Sequence, residues 1–253
     1  MRFASLGSGS KGNALVVESG RTRVLIDCGF GPRELTTRLA RLGLVPEDLD
    51  AILVTHEHGD HVGGVARVAQ RFSLAVHMSH GTCTAAALAG RVEVSVFDSH
   101  TAFAVGDLEV RPFPVPHDAR EPTQFVVGDG QRRLGVLTDA GCATPHMVAM
   151  LDGCDGLVLE CNHDADMLRN GSYPWSLKQR VGGRLGHLDN AAAASLLGQI
   201  DHRRLQHVVA AHLSEQNNTP ELARAALAVV LGAGGREVAV ADQQQGFDWR
   251  QIC

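Results

Sequence analysis

Short apolar runs, cut by glycine, proline and acidic residues, dominate the first half of the chain. Runs at 3–6, 14–18, 23–27 and 51–55 read as strands, with a helical pattern over 32–42 before the last of them. A helix is expected over 62–71, a strand over 74–77 and a helix over 81–88. A block of strands then follows at 94–97, 102–105, 108–112, 124–127 and 134–138. The second half alternates period 3.6 with short β-branched runs. Helices are expected at 145–151, 190–200 and 220–231, and strands at 156–160, 208–211 and 237–241. Strands opening each half, with helices accumulating later, predict an α/β protein of two mixed sheets packed together and flanked by helices. No linker, repeat or low-complexity stretch interrupts the chain, so one domain over 1–253 is expected.

Composition changes this picture little. A hydrophobic fraction of 44% with 20% charged residues is that of an ordinary globule. No apolar run reaches membrane-span length and the N-terminus lacks a signal-peptide core, so a cytoplasmic protein with no membrane partner is expected. Six cysteines without a C-x-x-C pair read as reduced thiols. A net charge of −5 argues against a generally basic nucleic-acid surface, although divalent metals would add positive charge inside a cleft.

The chemistry concentrates at His56-Glu57-His58-Gly59-Asp60-His61, just after the apolar run at 51–55. A core strand emerging there mounts three imidazoles and a carboxylate at the solvent edge. His56 and His58 can face one metal while Asp60 and His61 face a second; imidazole with carboxylate suits zinc or manganese. Clustering of this kind among 13 histidines in 253 residues is improbable by chance.

This H-x-H-x-D-H run resembles that of the metallo-β-lactamase-fold hydrolases. The resemblance implies an αβ/βα sandwich with two divalent ions, Zn²⁺ or Mn²⁺, at one edge. It also implies a set of further ligands. His117, between Pro116 and Asp118, would complete the first site with His56 and His58. Asp139, after the strand at 134–138, would bridge both ions, and His212, after 208–211, would join Asp60 and His61. Asp27 would hold the histidine loop by hydrogen bonds without touching metal; a turn aspartate before Cys28-Gly29 reads almost the same. Histidine at 58, where oxygen-reducing diiron relatives carry a carboxylate, implies a hydrolase.

Two ions roughly 3.5–4 Å apart support hydrolysis of esters, thioesters, amides or phosphodiesters alike. Glu160 and His187 resemble the pair that protonates the departing sugar oxygen in ribonuclease Z, a step phosphodiester cleavage needs. The competing reading, which the catalytic one outweighs, puts His187 at the entry to the helix at 190–200, with Asn190 as its cap.

A resemblance over nearly the whole chain is to the YycJ-type (WalJ) bacterial proteins. It rests on Ser8-Gly9-Ser10-Lys11-Gly12-Asn13, Asn162-His163-Asp164, Tyr173-Pro174-Trp175-Ser176-Leu177-Lys178-Gln179-Arg180 and His212-Leu213-Ser214-Glu215-Gln216-Asn217-Asn218. It implies a 5′→3′ DNA exonuclease using a metal-bridging hydroxide, with catalytic His187, Glu160 and Asp60. Ser10, Lys11, Asn13, His163, Lys178, Arg180 and Asn217 are the candidate substrate contacts. The Gly7–Asn13 loop could offer backbone N–H groups to a phosphate or simply join two strands. Lys178 and Arg180 could meet DNA backbone or form a solvated helix face, and Tyr173 and Trp175 could stack on a base or pack. Lys11 and Asp189 replace expected serines. The rival readings are a small-molecule hydrolase of the glyoxalase II or lactonase kind, and a non-catalytic protein binding metal and nucleic acid. Oligomeric state stays open.

Overall fold

Alternation along the strands decides where each sheet goes. In β3 (Thr22–Ile26) and β4 (Ala51–Leu53), Val24, Ile26, Ala51 and Leu53 enter one apolar cluster, while Leu25 and Ile52 between them enter another. In β11 (Gly156–Glu160) and β12 (His207–Ala211), Val158, Val209 and Ala211 join the first cluster, and Leu157, Leu159, Val208 and Ala210 a third. Period-2 side chains on strands buried on both faces therefore build a four-layer sandwich.

The computed structural model describes residues 1–232 and 237–253. The first sheet holds β1 (Arg2–Gly7), β2 (Ala14–Ser19), β3, β4, β5 (Ala75–Ser79) and β6 (Val94–Phe97). The second holds β7 (Phe103–Val105), β8 (Leu108–Pro114), β9 (Thr123–Gly128), β10 (Arg133–Leu137), β11, β12 and β13 (Val238–Val240). The last strand, β14 (Phe247–Gln251), returns to the first sheet beside β1, giving the orders β14-β1-β2-β3-β4-β5-β6 and β13-β12-β11-β10-β9-β8-β7. Each sheet is mixed. β3 to β6 run parallel and β14 to β3 antiparallel; β10 to β13 run parallel and β7 to β10 antiparallel.

Helices cover the two outer faces. α1 (Pro32–Ala40) and α3 (Val65–Phe72) bury Leu35, Leu39, Val65 and Val68 against the first sheet. α5 (Pro145–Leu151), α8 (Asn190–Gln199) and α9 (Pro220–Leu231) bury Met147, Leu151, Leu196 and Leu227 against the second. Short helices α2 (Gly59–Val62), α4 (His80–Ala85), α6 (Ala165–Asn170) and α7 (Trp175–Val181), with a 3₁₀ turn at Pro46–Asp48, complete the described elements. The expected two mixed sheets flanked by helices are thus present, and among the described residues no helix is long and apolar enough to cross a membrane.

Three local expectations need correction. The helix expected over 62–71 is two helices, broken at Gly63-Gly64, a pair of poor helix formers; a Cβ on Gly64 would lie 1.8 Å from the Phe30 carbonyl, so glycine is required there. Asp60 and His61 consequently sit in α2 and not in a loop. The α8 cap is Asp189, whose carboxylate accepts the Ala192 N–H at 2.7 Å; Asn190 instead pairs with Asn218. β14 was not anticipated, since its residues stay half-exposed and give a weak apolar signal.

Candidate metal centre and cleft

Parallel strands end at the same edge, so residues just past them meet. Asp27 follows β3, His56 and His58 follow β4, Asp139 follows β10, Glu160 closes β11 and His212 follows β12. His117 reaches the same edge from the β8–β9 connection. Asp27, Asp139 and His212 adopt left-handed backbone angles (φ 60°, 66° and 55°), a conformation that costs a side-chain-bearing residue about 1–2 kcal/mol. Strain of that kind collects where a site needs a side chain aimed against local preference.

Three of the inward histidines are anchored by the outer ring nitrogen. Asp27 accepts the Thr55 N–H at 2.8 Å and the Thr55 hydroxyl at 2.9 Å, and takes a hydrogen bond from His61 Nδ1 at 2.8 Å. With its proton given to Asp27, the Thr55 hydroxyl is left to accept from His56 Nδ1 at 3.0 Å. His117 Nδ1 donates to the Gly186 carbonyl at 2.9 Å. These partners leave the Nε2 atoms of His56, His61 and His117 facing inward, which is how an outer hydrogen bond prepares an imidazole to ligate.

Among the described residues, His56, His58 and His117 place ligand atoms within 4.8 Å of one another, as do Asp60, His61 and His212. His56, His61 and Asp139 form a linking group. The Asp139 carboxylate lies between the two sets, 3.1 Å from His61 Nε2, 3.6 Å from His212 Nε2 and 3.9 Å from His117 Nε2. His56 Nε2 is buried with no hydrogen-bond partner, while Asp139 Oδ2 is buried facing His61 Nε2 at 3.1 Å. A buried lone pair without a donor is costly, and one pointed into a histidine–aspartate cluster fits a cation. The side chains present therefore suit a metal centre.

The electrostatics agree. Burial holds His56 well below the usual imidazole range, with the neighbouring His61 adding to the effect, so it stays a neutral donor. Burial opposes charge on His61 and His212 too, but the Asp139 carboxylate, helped by Asp27 at His61 and Asp60 at His212, outweighs it and raises both. Burial likewise would raise Asp60 and Asp139, yet the facing imidazoles hold both carboxylates ionised. Protons on these histidines supply positive charge where a cation would otherwise balance the carboxylates.

Beside the cluster, Glu160 is fully buried and accepts from His187 Nδ1 at 2.7 Å, Ala140 N–H at 2.8 Å and Leu188 N–H at 3.2 Å. Burial opposes a charge on His187, but the Glu160 carboxylate overrides it and pushes the imidazole up to about 9. His187 lines a cleft of about 350 Å³ together with His58, Asp60, Asp139 and His212. The arrangement places a held proton next to a candidate cation site, a geometry that can serve acid catalysis of bond cleavage.

The other sequence-derived candidates divide. Ser10 and Arg180 line the cleft, and Arg180 also pairs with Asp118 at 2.6 Å. Asn13 is buried beneath it, its amide 3.2 Å from Asp60 Oδ2 and 3.1 Å from His61 Nε2, so it positions α2. Lys11 turns away to Glu215 at 2.7 Å, and Lys178 donates to the Arg169 carbonyl at 2.8 Å. His163 and Asn217 are buried outside the cleft lining. The Gly7–Asn13 loop is no phosphate nest. The N–H groups of Ser8, Gly9, Lys11, Gly12 and Asn13 go to Asp242, the Asn13 side chain, the Gln243 side chain, Gly9 and Asp60. Sequence reasoning missed Thr55, Asn162, Ser214 and Asp118. Asn162 stands beside the histidine that was chosen, and its amide reaches the His212 carbonyl at 3.0 Å.

Comparison with known proteins accords with this geometry. A sequence model of the Beta-lactamase superfamily domain matches residues 22–212. The exodeoxyribonuclease WalJ of Streptococcus pneumoniae (serotype 2, strain D39) is 33% identical over 255 residues, spanning 98% of this chain and 92% of that protein. The exodeoxyribonuclease YycJ of Bacillus anthracis is 35% identical over 239 residues, spanning 93% and 90%. Among solved structures, Zn²⁺-bound PqqB from Methylobacterium extorquens superposes with a TM-score of 0.76 over the whole of both chains at 18% identity, a likeness of fold.

Proposed function

The chain belongs to the Beta-lactamase superfamily and, within it, to the family of the WalJ and YycJ exodeoxyribonucleases, and from that premise we propose that it is a metal-dependent 5′→3′ DNA exonuclease. His56, His58 and His117 would hold one divalent ion and Asp60, His61 and His212 a second, with Asp139 shared; zinc and manganese both match these donors. Such a pair supplies a nucleophile at neutral pH and neutralises charge on the attacked phosphate.

The observation that carries the reading is the Glu160–His187 pair, 2.7 Å apart at the edge of the cluster. A sugar alkoxide leaves slowly unless it is protonated as the bond breaks, whereas thioesters and β-lactams make less demand for an acid. Glu160 fixes the His187 ring through Nδ1, which leaves Nε2–H free to deliver that proton. Asp27 and Thr55 hold two histidines in place, and Asn13 holds α2.

The test uses protein stripped of metal and resupplied with zinc or manganese. It is incubated with duplex DNA carrying a 5′ phosphate and a 3′ label, beside an Asp60→Ala/His61→Ala control. Shortening from the 5′ end by the reconstituted protein, absent in the control, is expected. DNA left intact with every metal, together with turnover of thioesters or lactones, would overturn the proposal.

A further inference from the structure

α7 is anomalous among the helices. It has no fully buried residue, yet it carries Leu177 and Val181, and Tyr173 stands just before it. None of these three belongs to any of the three apolar clusters that hold the sandwich together. All three instead line the cleft that His58, Asp60, Asp139, His187 and His212 also line. Leu177 and Val181 are four residues apart, so they share a helix face, and Arg180 lies on that face between them. Tyr173 is the chain's single tyrosine. Core packing does not account for an apolar wall placed there, partly exposed, inside an otherwise polar cleft.

The cleft is also small. At about 350 Å³ it sits at the low end of small-molecule pockets, room for about one nucleotide and not for both strands of a duplex end. A duplex end whose terminal nucleotide occupies this cleft would part from its complement there. An unpaired base exposes π-faces that an aromatic or apolar wall can cover, whatever the base.

We infer that Tyr173, Leu177 and Val181 form a seat for an unpaired nucleobase, so that the cleft takes the end of the DNA as a single strand without selecting the base. The inference rests on the DNA reading above and adds the form of substrate to it. Arg180, its Nε held 2.6 Å from Asp118, keeps further N–H donors for the adjoining phosphate. Trp175, 74% exposed and absent from the cleft lining, takes no part.

Binding and cleavage together test this with metal-loaded protein. A phosphorothioate-linked oligothymidylate with a distal fluorophore reports affinity by anisotropy; matched 5′-labelled duplexes with paired or mismatched terminal nucleotides report rate. Tyr173→Ala should weaken oligonucleotide binding by about 5- to 150-fold, the range of one lost stacking contact. Tyr173→Phe should stay within twofold, and Trp175→Ala, the surface control, should match the parent. With an abasic terminal nucleotide the parent should fall to the level of Tyr173→Ala, and that variant should fall no further. Mismatched ends should be degraded at least tenfold faster than paired ones. Equal loss for Tyr173→Ala on normal and abasic ends, or equal rates on paired and mismatched ends, would overturn the seat while leaving the nuclease standing. A parent protein that neither binds nor cuts DNA would remove both.

Discussion

Glu160→Gln probes the acid step with little change of shape. Glu160 only accepts hydrogen bonds: Oε2 from Ala140 and Leu188 N–H at 2.8 and 3.2 Å, Oε1 from His187 Nδ1 at 2.7 Å. A glutamine satisfies the two backbone donors with its carbonyl, which turns its NH₂ toward His187. Donor then faces donor, so His187 must give up its Nδ1 proton and lose the carboxylate that favours its charged form. A buried hydrogen bond to a charged group is worth about 1.5–3 kcal/mol. At about 1.4 kcal/mol per decade that predicts roughly a 10- to 100-fold loss of kcat on DNA. His187→Ala removes the acid outright and should cost about 10²–10⁴. The control is a nucleoside 4-nitrophenyl phosphodiester, whose leaving group departs without protonation. Both variants should cleave it at near the parental rate and keep the parental metal content. Equal losses on DNA and on the nitrophenyl ester would refute the acid role, and lost metal would make the pair structural.

Other consequences can be read separately. Asp27→Ala strips His61 Nδ1 and the Thr55 N–H of their acceptor and should weaken metal binding by about 10- to 100-fold in chelator competition; unchanged affinity would show that the fold alone orients His61. Gly29→Ala places a Cβ 2.2 Å from the Asp60 carbonyl, so overpacking of about 1–3 kcal/mol should lower Tm; an unshifted melt would mean the loops part freely. Burial pushes the Cys28 thiol up to about 12 and Cys154 up to about 11, so a neutral-pH thiol reagent should label exposed Cys253 and half-exposed Cys142 first. Rapid labelling of Cys28 in folded protein, seen by peptide mass mapping, would contradict that packing. Zinc or manganese at about 100 times its Kd should stabilise the chain by about 2.7 kcal/mol in denaturant titrations; no shift of the midpoint would argue against a native-state metal centre.

Much of the architecture was legible because it obeys one local rule. Val24, Ile26 and Val158 face one way and Leu25 and Leu157 the other, and that alternation is written in the sequence. The edge of the sheets was legible because the histidine and aspartate motifs stand directly after such runs. What could not be read depends on contacts between distant segments. The Gly7–Asn13 loop has the composition of a phosphate nest, but Gln243, from the far end of the chain, takes the Lys11 N–H at 2.8 Å. In Asn162-His163-Asp164, the turn after β11 sends the asparagine into the cleft and buries the histidine, a choice composition does not reveal. One residue separates Asp189 from Asn190 at the α8 cap, within the ordinary slack of a helix boundary. α7 left little trace because it has no fully buried residue.

These failures share a cause with the site itself. Asp27, Asp139 and His212 stand in left-handed conformations where local preference favours glycine, each at or just past the end of a core strand. No propensity scale places them so, and nothing about strand stability requires it. The conformation turns each side chain back over the sheet edge: Asp27 to His61 at 2.8 Å, Asp139 to His61 at 3.1 Å and His212 to Asp60 at 3.3 Å. The parallel strands, closed on both faces by apolar side chains, are rigid enough to hold three such turns in register. Strain of about 1–2 kcal/mol at each then goes into pointing Asp139 and His212 at one small volume and Asp27 at the outer ring nitrogen of the His61 that faces it. A sandwich needing only stability would carry glycine there; one that must fix cations beside a proton donor carries aspartate and histidine.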